Sequence, residues 1–291
     1  MRGVGRRGLI AVALTIGCVA LVSAPGASAK VTVSSGGSHA CAIKDNGKAL
    51  CWGDNSEGQR NAPGGKFKAI SAGREHSCGV KKRGKLVCWG SNDDGEANEP
   101  NGDFKAVAAG YYVTCGLKVN GRVVCFGDDS YGVDAEPPGR FKSIHINAYT
   151  EHACGVRKND RVHCWGDNDY GKGDPPGGAF KLVRGGTYHV CGVHANNQLE
   201  CWGNNDYGET DAPGGKFKGA GAGYYVSCGI RLTGRLNCFG YEGYGVDVEP
   251  PGKFRAISLG EYAGCGVREN SKVDCWGDDT TEIVNVPNSL D

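Results

Sequence analysis

The sequence has one methionine, almost no 3.6-residue hydrophobic periodicity, and no apolar run beyond residue 22 that approaches the length of a bilayer span. These absences exclude a helical bundle and a polytopic helical membrane protein. No Gly-x-Ser-x-Gly, His-Glu-x-x-His or phosphate-binding glycine loop occurs. The commonest hydrolase, metalloprotease and nucleotide sites go with them. Charge of neither sign dominates. The three arginines of the first 29 residues set aside, 30 Lys+Arg stand against 32 Asp+Glu, a formal net of −2. That balance argues against a nucleic-acid partner.

What the sequence does have begins with a leader. Arg2, Arg6 and Arg7 precede an apolar stretch from Leu9 to Val22, and Ala27-Ser28-Ala29 makes a small-residue cleavage site. Residues 1–29 are expected to be a secretory signal peptide and 30–291 a single exported, extracellular domain, with no membrane insertion after cleavage. Thr15-Ile16-Gly17 before Cys18 fits a lipobox poorly, so acylation of Cys18 is disfavoured.

The other fourteen cysteines fall into seven pairs of one spacing: Cys41–Cys51, Cys78–Cys88, Cys115–Cys125, Cys154–Cys164, Cys191–Cys201, Cys228–Cys238 and Cys265–Cys275. The pairs recur every 37 residues with one step of 39, so the chain is seven copies of one unit. In an oxidising compartment such pairs read as a disulfide framework.

Each unit reads as four short strands, a to d. In the second unit Cys78 opposes Cys88, Val80 opposes Leu86, and Lys82-Arg83-Gly84 turns the bc hairpin. Such a three-residue loop wants a left-handed conformer last. The units supply Gly47, Gly84, Gly121, Asp160, Asn197, Gly234 and Ser271 there, of which Ser271 fits least well. Period two places Cys78, Val80, Leu86 and Cys88 on one face and Gly79 beside Trp89 on the other, ready to interlock with a neighbouring sheet. The expected fold is all-β: a seven-bladed β-propeller of four-stranded blades with one intrablade disulfide each. The third and sixth units share Gly-Tyr-Tyr-Val and Tyr-Gly-Val-Asp, and the fourth carries a two-residue insertion within His145 to Glu151.

In such a blade the ab and cd loops emerge on one side and the bc and da loops on the other. All twelve tyrosines fall on the first side: Tyr111, Tyr112, Tyr149, Tyr188, Tyr224, Tyr225 and Tyr262 in ab loops, Tyr131, Tyr170, Tyr207, Tyr241 and Tyr244 in cd loops. Acids such as Asp54, Asp128, Asp167, Asp169, Asp206 and Asp278 join them. The second side collects Lys81, Lys82, Arg83, Arg157, Lys158, Arg231 and Arg268. Tyrosine is a rigid amphipathic contact residue, so the first side reads as a recognition surface. The recurring Tyr-Gly at Tyr131, Tyr170, Tyr207 and Tyr244 leaves open a second reading, in which these rings only pack the blade top.

His39, His76, His152 and His189 share one repeat position two residues before a cysteine. Separate blades hold equivalent positions apart, so a repeated supporting hydrogen bond explains them better than a metal, and no cofactor is implied. The cd loops lack the frame of a calcium loop and favour Asx turns. Paired acids are too evenly repeated to single out an acid and a base.

Ile-Ser-Ala-Gly, His-Ser, Gly-Lys-Leu-Val-Cys-Trp-Gly and the Gly-Glu closing the unit, as in Ile70 to Glu96, resemble the repeats of the regulator of chromosome condensation family. They look closer still to the secreted seven-bladed β-lactamase inhibitor protein of the second type. The resemblance covers the mature chain almost end to end. It implies a non-catalytic disc that presses aromatic loop residues onto a protein, here at Tyr111, Tyr112, Tyr188, Tyr224, Tyr225 and Tyr262. The expected partner is an extracellular protein, inhibited or simply bound. A glycan stacked on the same tyrosines is the first alternative, and a polysaccharide hydrolase or lyase the second. The basic back is a candidate contact for anionic cell-wall polymer.

Overall fold

A computed structural model describes residues 31–128, 130–278, 280 and 282–290. The leader and Cys18 lie outside the described residues. Seven antiparallel sheets follow one another, each of three strands. In the second, Phe67–Ala72 pairs with His76–Lys81, which pairs with Leu86–Gly90. The seven inner strands are Thr32–Ser35, Phe67–Ala72, Phe104–Ala109, Phe141–Ile146, Phe180–Gly185, Phe217–Ala222 and Phe254–Leu259. They stand side by side in chain order around a ring, the first against the last.

The fourth strand expected per blade does not form; three strands per sheet replace the four-stranded reading. Each return segment carries proline, such as Pro100 or Pro213, which has no N–H for a ladder. Asparagine side chains take the segment's amides instead: Asn92 Oδ1 accepts from Ala97 N at 2.9 Å, and Asn205 Oδ1 from Thr210 N at 2.9 Å.

The hairpin register is the predicted one. Cys78 faces Cys88 and Val80 faces Leu86, with the same pairing in every blade, and all seven disulfides form. The last turn residue has positive φ throughout, including Ser271 at 74°.

Blades interlock through one repeated contact. The disulfide face of each blade packs on the aromatic face of the next, as Cys41, Ile43 and Cys51 do on Phe67 and Trp89. The phenylalanine ring lies over a glycine of its own middle strand. A Cβ on Gly116 would come within 2.5 Å of the Phe104 ring. The first unit has Lys30 in place of the phenylalanine and Ala42 in place of the glycine. Gly116→Ala is therefore expected to overpack the ring and to cost about 1–3 kcal/mol in urea unfolding. An unchanged urea midpoint would refute this account of the glycine.

The basic residue ending the middle strand caps the same ring. Lys81 Nζ lies 3.6 Å from the Phe67 centroid, Arg231 sits 4.9 Å from that of Phe217, and Arg268 5.0 Å from that of Phe254. Part of the basic back is thus structural.

Ring closure uses the same parts. Trp89 Nε1 donates to Gln59 O at 2.8 Å and Trp202 Nε1 to Lys172 O at 3.0 Å, each reaching the preceding return segment. Trp52 Nε1 donates to Ile283 O at 2.7 Å, so residues 282–290 stand toward the first blade as each return segment stands toward its successor. Val31, Trp52, Ile283 and Leu290 bury together with Cys265, Val267 and Val273. Among the described residues no strand is exchanged between the first and last sheets.

The repeated histidines also bridge blades. His39, His76 and His189 place Nε2 2.7 Å from the hydroxyls of Ser77, Thr114 and Ser227 in the following blade. Ser77 and Ser227 donate onward to Gln59 O and Glu209 O, so the imidazole is the donor. Val190 stands where the fourth hydroxyl would be, and His152 turns instead, with Nδ1 2.8 Å from Asp167 O. His152 also lies beside Cys154 and Cys164, but a disulfide already joins those sulfurs.

No helix among the described residues is long and apolar enough to cross a membrane.

Candidate functional site

The a-to-b turns and the loops leaving the third strands meet along one edge of the ring. Asp128 N donates to Tyr112 O, Tyr241 N to Tyr225 O, and Asp278 N to Tyr262 O, all at 2.8–2.9 Å. These bonds hold the two kinds of loop together in each blade. Asx turns fix the second kind: the carboxylates of Asp54, Asp128 and Asp167 accept from the amides two residues on.

On this edge the tyrosine rings touch in sequence. Tyr170 packs on Tyr188 at 5.6 Å, Tyr188 stacks on Tyr225 at 5.2 Å and meets Tyr224 at 5.2 Å, and Tyr225 meets Tyr207 at 4.7 Å. The row continues from Tyr207 to Tyr241, Tyr241 to Tyr244 and Tyr244 to Tyr262. These eight rings form one arc over the fourth to seventh blades. A second group pairs Tyr111 with Tyr112 at 3.9 Å, with the Arg74 guanidinium 4.1 Å above Tyr111.

The recurring loop tyrosines are exposed: Tyr131 56%, Tyr170 59%, Tyr207 49% and Tyr244 38%. Three of them lean on the turn tyrosine of the next blade, at Tyr188, Tyr225 and Tyr262. Glu151 occupies that place beyond Tyr131, which has no such partner in sequence. Asp169 and Asp206 are exposed beside Tyr170 and Tyr207. Asp206 shares two hydrogen bonds with Asn204.

The two aromatic groups border a central depression of ≈ 480 Å³, lined by Arg74, Tyr111, Tyr149, Thr187, Tyr188, Tyr224, Glu261 and Tyr262. The fourth-blade insertion crosses it. Asn147 Nδ2 donates to Ala222 O at 3.4 Å two blades away, and Thr187 donates to Asn147 Oδ1 at 3.4 Å. Tyr149 extends toward the first blade, where a Cβ on Gly37 would lie 3.1 Å from its hydroxyl. Burial and a hydrogen bond to Glu261 raise the Tyr149 pKa, and Glu261 pushes Tyr262 up to about 12. The Tyr188 hydroxyl, 3.2 Å away, raises Tyr224. These phenols stay protonated at neutral pH. The site thus offers apolar ring surface, phenolic donors, one guanidinium and one carboxylate.

Glu151 lies in a negative field: burial, then Asp128 and Asp167, raise it to about 7. A smaller depression of ≈ 370 Å³ near His194 and Glu200 lies against the fifth blade and has no tyrosine.

Arg74, Thr187 and Glu261 were not singled out from the sequence. Their signal was one alignment column, the residue after Gly in six of the seven turns: Gly37, Arg74, Tyr111, Thr187, Tyr224 and Glu261. That column faces the centre and varies while its flanks repeat.

Residues 31–59, 67–96, 104–133 and 144–172 match the Regulator of chromosome condensation (RCC1) repeat. The chain carries repeats of this family. Among solved structures it is similar to the CRINKLY WD40 ectodomain of the Arabidopsis thaliana receptor kinase ACR4, at 24% identity and TM-score 0.70 over 86% of this chain and 97% of that one. It is similar to the ectodomain of the Physcomitrella patens receptor kinase CR4, at 25% identity and TM-score 0.72 over 86% and 73%. It also shares its fold with Prp20p from Saccharomyces cerevisiae, at 15% identity and TM-score 0.64 over 74% and 72%. No curated protein matches the chain by sequence.

Proposed function

We propose that the chain is an exported, non-catalytic binding protein that captures an extracellular protein on its tyrosine arc and the central depression beside it. The carrying observation is the arc itself: eight rings in contact, three of them, Tyr170, Tyr207 and Tyr244, at 38% exposure or more, with Arg74 and Glu261 across the depression. Buried tyrosine would be ordinary core; a contiguous row of exposed and half-buried rings holds a large amphipathic area ready at low ordering cost. Seven disulfides in one chain agree with an oxidising compartment, and the similar receptor ectodomains agree with display outside the cell. Acids on this edge serve Asx turns in four blades, at Asp54, Asp128, Asp167 and Asp278, which supports recognition over acid–base chemistry.

Inhibition of a secreted enzyme is the form of capture that the flat disc and aromatic loops favour. The test compares the wild-type chain with the Tyr111→Ala/Tyr112→Ala/Tyr224→Ala/Tyr225→Ala variant as bait in culture supernatant, followed by titration of the captured protein. The expected result is one stoichiometric partner whose affinity falls about 100-fold in the variant, since anchor tyrosines commonly contribute about 2 kcal/mol or more. Equal capture by both baits would overturn the assignment. Glycan-array binding lost in the same variant would replace the protein by a sugar, and turnover of a wall polymer would replace binding by catalysis.

A further inference from the structure

The channel at the centre of the ring has a chemistry of its own, fixed by one register position. The residue facing the first cysteine of each blade is Ser34, Ser71, Ala108, His145, Arg184, Gly221 or Ser258. These residues sit on the innermost strands, whose channel-side edges have no neighbouring strand. The side chains that can accept a hydrogen bond cap that edge. Ser34 Oγ accepts from Ala72 N, Ser71 Oγ from Ala109 N, and Ser258 Oγ from Ser35 N, each at 3.0 Å. His145 Nδ1 accepts from Gly185 N at 3.1 Å, which places its proton on Nε2.

Those four side chains each spend an acceptor on the edge, and what they have left over includes donors. Three hydroxyl protons, the Nε2–H of His145 and the Arg184 guanidinium remain. Arg184 gives one bond, from Nη1 to Val183 O at 2.9 Å, and no carboxylate pairs with it among the described residues. The serines belong to the seventh, first and second blades, and His145 and Arg184 to the fourth and fifth. An object on the axis therefore meets donors from both sides.

Access is one-sided. Asn147 and Tyr149 cross the tyrosine mouth. The other mouth is ringed by the second residue of six inner strands, Lys68, Lys105, Lys142, Lys181, Lys218 and Arg255. In each of these blades the pairing register shifts across this residue, so it stands unpaired as a bulge at the mouth. Lys142 pairs with Asp160 and Lys218 with Glu269, and the other four have no acidic partner among the described ion pairs.

From these side-chain donors behind a cationic mouth, we infer that the central channel binds a phosphate group, held by Arg184 and His145 on one side and the Ser34, Ser71 and Ser258 hydroxyls on the other. A free phosphate and the terminal phosphate of an anionic wall polymer present the same oxygens. A guanidinium fork matches such an oxyanion in two bonds, and hydroxyls supply the rest.

The test is calorimetric titration of the intact mature chain with inorganic phosphate at low ionic strength, repeated with Arg184→Gln, Arg184→Lys and Lys181→Gln. One phosphate per chain is expected, with affinity at least about tenfold weaker in Arg184→Gln and measurably weaker in Arg184→Lys, which keeps the charge and loses the fork. Lys181→Gln, which removes one cation of the mouth and none of the layer, is expected to weaken it less than Arg184→Gln. Thermal unfolding midpoints check that the variants fold, and the lysine variant still decides the matter if the glutamine one does not. A short poly(glycerol phosphate) that competes with phosphate identifies a polymer end as a source; failure to compete leaves the free ion. No uptake by the wild type, unchanged affinity in both Arg184 variants, or loss confined to Lys181→Gln would each overturn the proposal.

Discussion

Lowering the pH from 7 to 4.5 is expected to remove roughly 10 kcal/mol of folding stability, enough to unfold the disc. His39, His76, His152 and His189 are completely buried, and burial depresses them to about 4, 3, 4 and 3. A histidine whose folded pKa lies below its unfolded value contributes fully above about 6.5 and loses that contribution as pH falls toward the folded value, because only the unfolded chain takes up the proton. At pH 4.5 the deficit is about 2–3 kcal/mol for each ring, against a total domain stability of about 5–15 kcal/mol. Glu151 opposes the trend, since a carboxyl raised to about 7 favours the folded state as pH falls from 7 toward 4.5. One group half-open to solvent does not offset four buried ones. Urea midpoints between pH 7 and 4.5 measure the slope. His76→Gln, which keeps an N–H for Thr114, is expected to flatten it by about one proton. A midpoint constant down to pH 4.5 would show that these imidazoles do not control acid stability.

Full reduction of the disulfides is expected to leave the chain unfolded. Each bridge joins residues 10 apart, and closing so short a loop contributes about 2–3 kcal/mol in the chain-entropy account. Seven such contributions together exceed the about 5–15 kcal/mol of a typical domain, even if they add imperfectly. The first cysteine of every pair is wholly buried between blades. Native protein is therefore expected to resist reductant alone and to reduce once urea opens the ring. Circular dichroism after dilution into reducing buffer reads the outcome, and a reduced chain that regains the native spectrum and urea midpoint would refute the expectation. Replacing Cys228 and Cys238 together by alanine tests one bridge, with an expected loss of about 2–3 kcal/mol or more, the cavity adding to the entropy term.

The hairpins were legible because the cysteines announce their own register. Spacing set Cys78 against Cys88, alternation set Val80 against Leu86, and the residues of the last turn position named the conformer. The fourth strand was misread because Ala97–Pro100 has a strand's length. Its proline and the Asn92 side chain divert the amides a ladder would need. The tyrosines could be listed in sequence but not ordered, since contact between Tyr207 and Tyr225 depends on how one blade leans on the next. Arg74 and Glu261 escaped notice because single charged residues in turns look solvated until a ring brings them to one centre.

The sequence by itself determined the unit, its seven disulfides, the hairpin register and the number of repeats, because each is a matter of spacing within about 40 residues. Only the tertiary structure decided that the last return segment closes against Trp52 and that the fourth-blade insertion crosses the channel to Tyr149's neighbours. It alone showed that the residues facing the first cysteines turn side-chain donors toward one axis. Those outcomes depend on which blades end up opposite one another, and that is a property of the closed ring rather than of any repeat within it.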